Sequence, residues 1–347
     1  MVTQTSSTPF RPMNVVVARG SPAEKAHRSR AGLPGADVIA PGLPKTPAHN
    51  LIFHHGKTIP SLAFTNFYVG GTPSWNPADV QAIDAALDGA MSDIDLNNVL
   101  MQYFHNQAIT SKFSPSQILP GPPPSVVSQG DAESLVADLA QQGRFSGFDL
   151  GSTVFNFLLP RGTVLNADPA PTQASHPLFS AESVRENPAL IDHDGEDSRH
   201  GLGGYHGSVH IPRPSGGRDT IYYAVGVFSE RRPDGSTNGI PVFDQPWKNV
   251  VATFYHELSE ARTDADVEDA IRAGNDPSAA GFLGWMSREG EECGDFPVFE
   301  ARPLGQVFQE VKLTNSTATV PVQFQYSNAV SGPEGPIPAP HHLSGGH

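Results

Sequence analysis

The sequence predicts an α/β (α+β) fold: a mixed β-sheet with helices packed on it, joined by long Gly/Pro-rich loops. Three observations carry that expectation. Apolar and aromatic runs of strand length, 51–53 and 62–69, flank a Gly56-Lys57 turn. Val80, Ile83, Leu87, Met91 and Ile94 recur at helical spacing after Asn76-Pro77, an N-cap followed by proline at the first helical position. The 347 residues include 34 glycines and 33 prolines, well above the roughly 12% that the two contribute to an average chain, so loops must be extensive.

Along the chain, residues 1–47 carry Pro, Ser, Arg and Gly without periodicity and read as a disordered leader outside the fold. A single domain is expected over 48–330, and 331–347 reads as a disordered tail. The proline-rich stretch 114–130 can be neither helix nor central strand and should cross the surface. A second helix is expected at 131–142, stopped by Gly143. Residues 154–159 form a buried-type strand closed by Pro160. Residues 162–204 are polar and turn-forming, longer than a compact domain usually carries, which suggests a rim over a site. Strands follow at 208–211 and 220–228, a helix at 246–264, and last strands at 307–313 and 319–326.

Composition removes several function classes. The net charge of −14 argues against a nucleic-acid partner, because phosphate readers cluster positive charge, and against an anionic membrane. A single cysteine, Cys293, excludes an intrachain disulfide and a thiolate-rich zinc site. Only the short 13–17 run is apolar near the start, so no signal peptide is expected, which leaves a cytoplasmic location or secretion by another route. There is no Gly-x-Ser-x-Gly elbow, Walker loop or dinucleotide fingerprint.

The chemistry-bearing pattern lies in the 246–264 helix, as His256-Glu257-Leu258-Ser259-Glu260. Residues four apart share a helix face, so His256 and Glu260 can ligate one cation. In His-Glu-x-x-His metallopeptidases the glutamate after the first ligand is the general base, the place of Glu257 here. A carboxylate in place of the second histidine is an acceptable zinc ligand, but it admits harder divalent metals more readily. The pattern arises by chance somewhere in such a chain with odds of roughly 0.03. The alternative is a solvated helix face, with Val250, Val251, Phe254, Leu258 and Ala261 as the buried stripe.

Downstream, Gly284-Trp285 precedes Glu291-Glu292-Cys293-Gly294-Asp295, a segment able to return a third ligand, Glu292 ahead of Asp295. Asp264 would anchor the helix end or a ligand. The same acids should raise the Cys293 thiol pKa, which argues against a cysteine nucleophile. His206 is a candidate to reach the metal or polarise a carbonyl, or else to satisfy backbone groups in a Gly-rich turn; Tyr205 is a candidate oxyanion donor. Residues 192–197 suggest a calcium loop, but glycine at the fourth place and Gly203 at the twelfth exclude an EF-hand. His341, His342 and His347 sit in the tail and carry no expected function.

Taken in order, His256-Glu257-Leu258-Ser259-Glu260-Ala261-Arg262-Thr263-Asp264, Gly284-Trp285 and Glu292-Cys293-Gly294-Asp295 resemble the zincin-like bacterial and fungal relatives of the plant phosphate-induced, exordium-like proteins. Leu158-Leu159-Pro160-Arg161-Gly162-Thr163, a Gly204-Tyr205-His206 turn and the terminal 322–328 strand fit the same pattern, which spans about 50–330. Two departures stand out. Ala265 replaces the proline that usually follows Thr-Asp, so the helix is expected to run on, and Tyr326 replaces a tryptophan while the usual paired cysteines are missing.

The resemblance implies a zincin-like fold and a zinc-dependent metallopeptidase acting on a peptide or protein substrate. His256, Glu260 and a downstream carboxylate would hold the metal, and Glu257 would activate water. The plant branch lacks the helix motif and is associated with extracellular growth responses. The alternative is therefore a non-catalytic binding protein with a structural or relic metal site.

Overall fold

Six strands form the main sheet of the computed structural model, which describes residues 14–18, 21–23, 43–167, 197–213, 216–274 and 276–341. They are β1 (Val15–Val17), β2 (Ser61–Tyr68), β3 (Thr110–Ile118), β4 (Thr153–Leu158), β5 (Leu202–Pro212) and β6 (Arg218–Gly226). Their spatial order is β1-β5-β6-β4-β2-β3. The pairs within β3, β2, β4 and β6 are parallel, whereas β5 runs antiparallel to β6 and β1 antiparallel to β5. The sheet is therefore mixed, as expected.

Helices cover both faces, and the period of two in each strand decides which side chain meets which helix. The helices are α1 (Pro77–Ser92), α2 (Ile94–Leu100), α3 (Gln129–Gln141), α4 (Pro246–Thr263), α5 (Val267–Ala273) and α6 (Asp295–Glu300). Leu62, Phe64 and Tyr68 of β2, with Val154 and Leu158 of β4, pack under α1 and α4. Phe67, Phe155, Phe157, Tyr223 and Val225 point the other way, under α3. A hairpin of β7 (Phe308–Lys312) and β8 (Thr319–Gln323) lies over α4 and α1 through Val320 and Val322.

Both early helices begin as the sequence suggests. Asn76 caps α1 by accepting from the Ala78 N–H, and Ser128 with Asp131 forms a capping box at α3. Helix α1 stops before Ile94 because Asp93 accepts from the Asp95 and Leu96 N–H groups and starts α2 instead. The 114–130 stretch does begin at the surface. Its first residues belong to β3, an edge strand that tolerates Pro115 because only one side of it is paired.

Several expectations are corrected. The composition of 1–47 hides β1: Val15, Val16 and Val17 are buried and paired with β5, so this part of the leader belongs to the sheet. In the supposed tail, Gly332–Glu334 pairs with Gln325–Ser327, and His341 bonds Glu334 at 2.8 Å. His342, His347 and residues 192–196 of the calcium-like segment lie outside the described residues. The Gly204-Tyr205-His206 stretch is no turn but part of the first half of β5. Helix α4 ends at Thr263 without a proline, since Asp264 turns away and its Oδ1 accepts the Gly284 N–H at 2.8 Å.

The free edge of β5 beyond β1 is closed by α5. Glu268 accepts the Ser208 N–H at 2.6 Å and Arg272 donates to the Ser208 carbonyl at 3.0 Å, two bonds a neighbouring strand would otherwise make. Among the described residues no helix is long and apolar enough to cross a membrane.

Helix α4 is docked by Phe254, fully buried with its ring against Gly226. Phe254→Ala is expected to cost about 3–5 kcal/mol, read as a lower urea midpoint with an unchanged slope.

Candidate metal centre

Pro246 opens α4 and every side chain from Asn249 to Thr263 is buried, the polar ones included. Buried polar groups need partners, so the polar face of α4 must meet something other than solvent. It meets β5 on one side and the 287–295 turn on the other. That turn is held by the Ser287 N–H bond to the Glu291 carbonyl (2.8 Å) and by His49, which stacks on Phe296 and lies 3.2 Å from the Glu291 carboxylate.

His256 and Glu260 project from one face of α4, His256 Nε2 standing 3.0 Å from Glu260 Oε2 but out of hydrogen-bond alignment. The other imidazole nitrogen, Nδ1, is 2.6 Å from Gln323 Oε1 at the end of β8. An amide oxygen only accepts, so Nδ1 carries a proton, and in the neutral ring Nε2 is the nitrogen with the lone pair. Gln323 Nε2 donates to the Gly294 carbonyl at 2.6 Å, and the Gly294 N–H donates to Glu260 Oε1 at 3.0 Å. A ring of bonds thus aims His256 Nε2 and Glu260 Oε2 at the same point. Gly294 is required by space, since a Cβ there would stand 2.4 Å from His256 Nδ1.

Two further acids and a second imidazole close around the pair. Asp295 Oδ2 accepts the Glu292 N–H at 2.9 Å, leaving Oδ1 without a partner. His206 Nδ1 lies 3.2 Å from Glu257 Oε2 and 3.8 Å from Glu260 Oε2, and its Nε2 is 3.7 Å from Glu292 Oε1. Among the described residues two trios place ligand atoms within 4.8 Å of one another: His256, Glu260 and Asp295, and His206, Glu260 and Glu292. Glu260 belongs to both. Asp295, rather than the expected Glu292, is the acid grouped with the helix pair.

The electrostatics follow from enclosure. All six side chains are at most 1% exposed. Burial raises the Glu292 and Asp295 carboxyls well above the carboxylate range, and the charge of Glu260 raises both further. Burial also pushes Glu257 up to about 8, against the opposing hydrogen bond from His206. At His256 burial disfavours the imidazolium, but Glu260, Asp295 and Gln323 outweigh it and the pKa rises. Unpartnered buried atoms converge here: His256 Nε2, His206 Nε2, Glu257 Oε1, Glu260 Oε2, Asp295 Oδ1 and both Glu292 oxygens. Such a donor set, imidazole nitrogen with carboxylate oxygen, suits zinc or a harder divalent cation.

Tyr205 does not join them. Neighbours in a strand point to opposite faces, so His206 faces α4 while Tyr205 lies in the α3-side core, edge-on to Tyr223. Asp264 anchors the helix end, as already described, and burial pushes its carboxyl far up. Burial first, then Glu260, raises the Cys293 thiol, which contacts Gln325 and Thr263 and is an inert packing group.

The chain matches no family model, no curated protein and no solved structure. The centre is accordingly read from its own geometry. If Gln323 orients His256, Gln323→Ala should weaken zinc binding about 10–100-fold, measured by competition with a chromogenic chelator. Tyr205→Phe should leave that affinity unchanged.

Proposed function

We propose that the protein is a metal-dependent hydrolase of peptide bonds, with zinc or a similar divalent cation held by His256, Glu260 and Asp295, and Glu292 with His206 on the opposite side. The observation that carries this reading is the convergence of unpartnered, buried imidazole and carboxylate atoms on one point. Four carboxyl groups with only two imidazoles to balance them are costly in such an interior, and a cation is the simplest group that suits all of them. The likeness to zincin-like proteins in the helix motif and in the Glu292-Cys293-Gly294-Asp295 segment supports the same reading.

A divalent cation held here would supply Lewis acidity for hydrolysis of a substrate carbonyl. Its charge also favours ionised Glu257, against the burial that pushes that carboxyl up to about 8. Glu257 Oε1, free of other partners, takes the proton of the attacking water while Oε2 is held by His206 Nδ1. As the C–N bond breaks, Glu257 returns the proton to the leaving amine nitrogen. Two carboxylate ligands make the metal a weaker Lewis acid than a three-histidine site, so slow turnover is expected.

The enclosure of all six side chains favours a second reading, a structural cation in a non-catalytic binding protein. One pair of measurements separates the two. Glu257→Gln should keep stoichiometric zinc and lower kcat on a fluorogenic peptide library about 10²–10⁴-fold. Glu260→Gln, common to both trios, should lose the zinc. Bound zinc with no turnover by the native chain would select the structural reading, and failure to take up any divalent cation would reject both.

A further inference from the structure

The edge of β5 beside the metal centre is occupied by a segment of the chain itself. Val15 pairs with Tyr205 and Val16 with Gly204, antiparallel. Asn14 continues the match, accepting the His206 N–H at 3.3 Å and donating from its side chain to the His206 carbonyl. On the other end, the Ala18 N–H reaches the Gly201 carbonyl at 2.7 Å. Beyond His206 the edge is closed by Glu268 and Arg272 at Ser208. The open stretch of β5 is therefore bounded, and three to four extended residues fill it.

We propose that this stretch, Gly204 to His206, is a docking site for an extended peptide, and that segment 14–17 is its internal occupant, standing where a substrate strand would lie. The docking geometry is independent of the hydrolase reading, but its role in substrate binding rests on that reading.

Three observations converge. Val16 pairs with Gly204, where a Cβ would stand 3.3 Å from Glu257 Oε1, so the occupant's backbone lies opposite the strand residue that abuts the group proposed as the base. The Val16 side chain fills an apolar pocket formed by Ile240, Ala252, Val298 and Ala301, beside Gly203. With the segment in place the centre is closed to solvent. Main-chain pairing is indifferent to sequence, whereas a side-chain pocket is not. The pocket therefore selects a small β-branched residue in whatever peptide replaces the segment.

A segment paired over three residues competes with a peptide offered in solution, and the apparent affinity for that peptide falls by the fraction of molecules in which the edge is free. Val16→Pro removes a backbone N–H of the paired segment and cannot sit in the ladder, so it frees the edge. The probe is a labelled synthetic peptide with the sequence of residues 12–19, titrated against the full chain with and without zinc.

Val16→Pro should bind it at least about tenfold more tightly than the native chain, since the occupant loses a ladder hydrogen bond and an extended geometry that proline disrupts. The same peptide with aspartate in place of its middle valine should bind about tenfold more weakly. With zinc, Val16→Pro should also cleave a valine-containing peptide about tenfold faster. Equal peptide affinity for the two proteins overturns the proposal. Tighter binding without zinc uptake or cleavage upholds the docking site and rejects the hydrolase; cleavage without any gain in binding does the reverse. If Val16→Pro does not fold, Asn14→Ala, which removes only the side-chain bond to His206, should bind the peptide about fivefold more tightly, and an unchanged affinity again overturns the proposal.

Discussion

Four carboxylates gathered in a solvent-free interior are the constraint on which the rest of the structure depends. Each ion moved out of water costs several kcal/mol unless it is paired. Glu257, Glu260, Glu292 and Asp295 share only two imidazoles and a few backbone N–H groups. A fold that buries them must either hold them protonated or offer them a cation. The raised carboxyls of Glu257, Glu292 and Asp295 are the first response, and the convergence of their free oxygens is the geometry for the second.

The surrounding elements act by restricting where those atoms point. Helix α4 cannot rotate, because Phe254, Leu258 and Ala261 are locked in the sheet-side core. His256 cannot flip without losing the Gln323 bond, and Gln323 cannot move without releasing Gly294, which in turn holds Glu260. The hairpin of β7 and β8 is thus more than a cover over α4. Its last residue sets the tautomer of an imidazole 67 positions away in sequence.

Much of this was legible in the residues. The 246–264 helix and the shared face of His256 and Glu260 follow from helical spacing alone, and the acidic 291–295 segment was placed beside them by its own composition. What could not be read depends on contacts distant in sequence. Nothing local marks Gln323 as the partner of His256, and its only signal is a polar residue ending an otherwise apolar strand. Tyr205 and His206 are adjacent candidates in the sequence, and the strand sends them to opposite faces. Three valines in a Pro- and Ser-rich leader were too short a run to read as a strand, and only the open edge of β5 makes them one. The end of α4 was misread for a related reason. The stop comes not from a proline in the chain but from Gly284, whose N–H draws Asp264 out of the helix.

Charge balance also explains why the centre has a second imidazole. A divalent cation held by His256, Glu260 and Asp295 would offset two of the four carboxylates, with Glu257 and Glu292 left to other partners. His206 stands between those two, Nδ1 toward Glu257 and Nε2 toward Glu292. It reaches there because β5 is extended at this point, and the parity that removes Tyr205 from the centre is what delivers His206 to it. Glu257 is therefore held by His206, which belongs to the sheet, and shielded by the occupant of the sheet's edge. Removing the occupant would admit water and relieve the burial that raises the Glu257 carboxyl, so access to the centre and ionisation of Glu257 rise together.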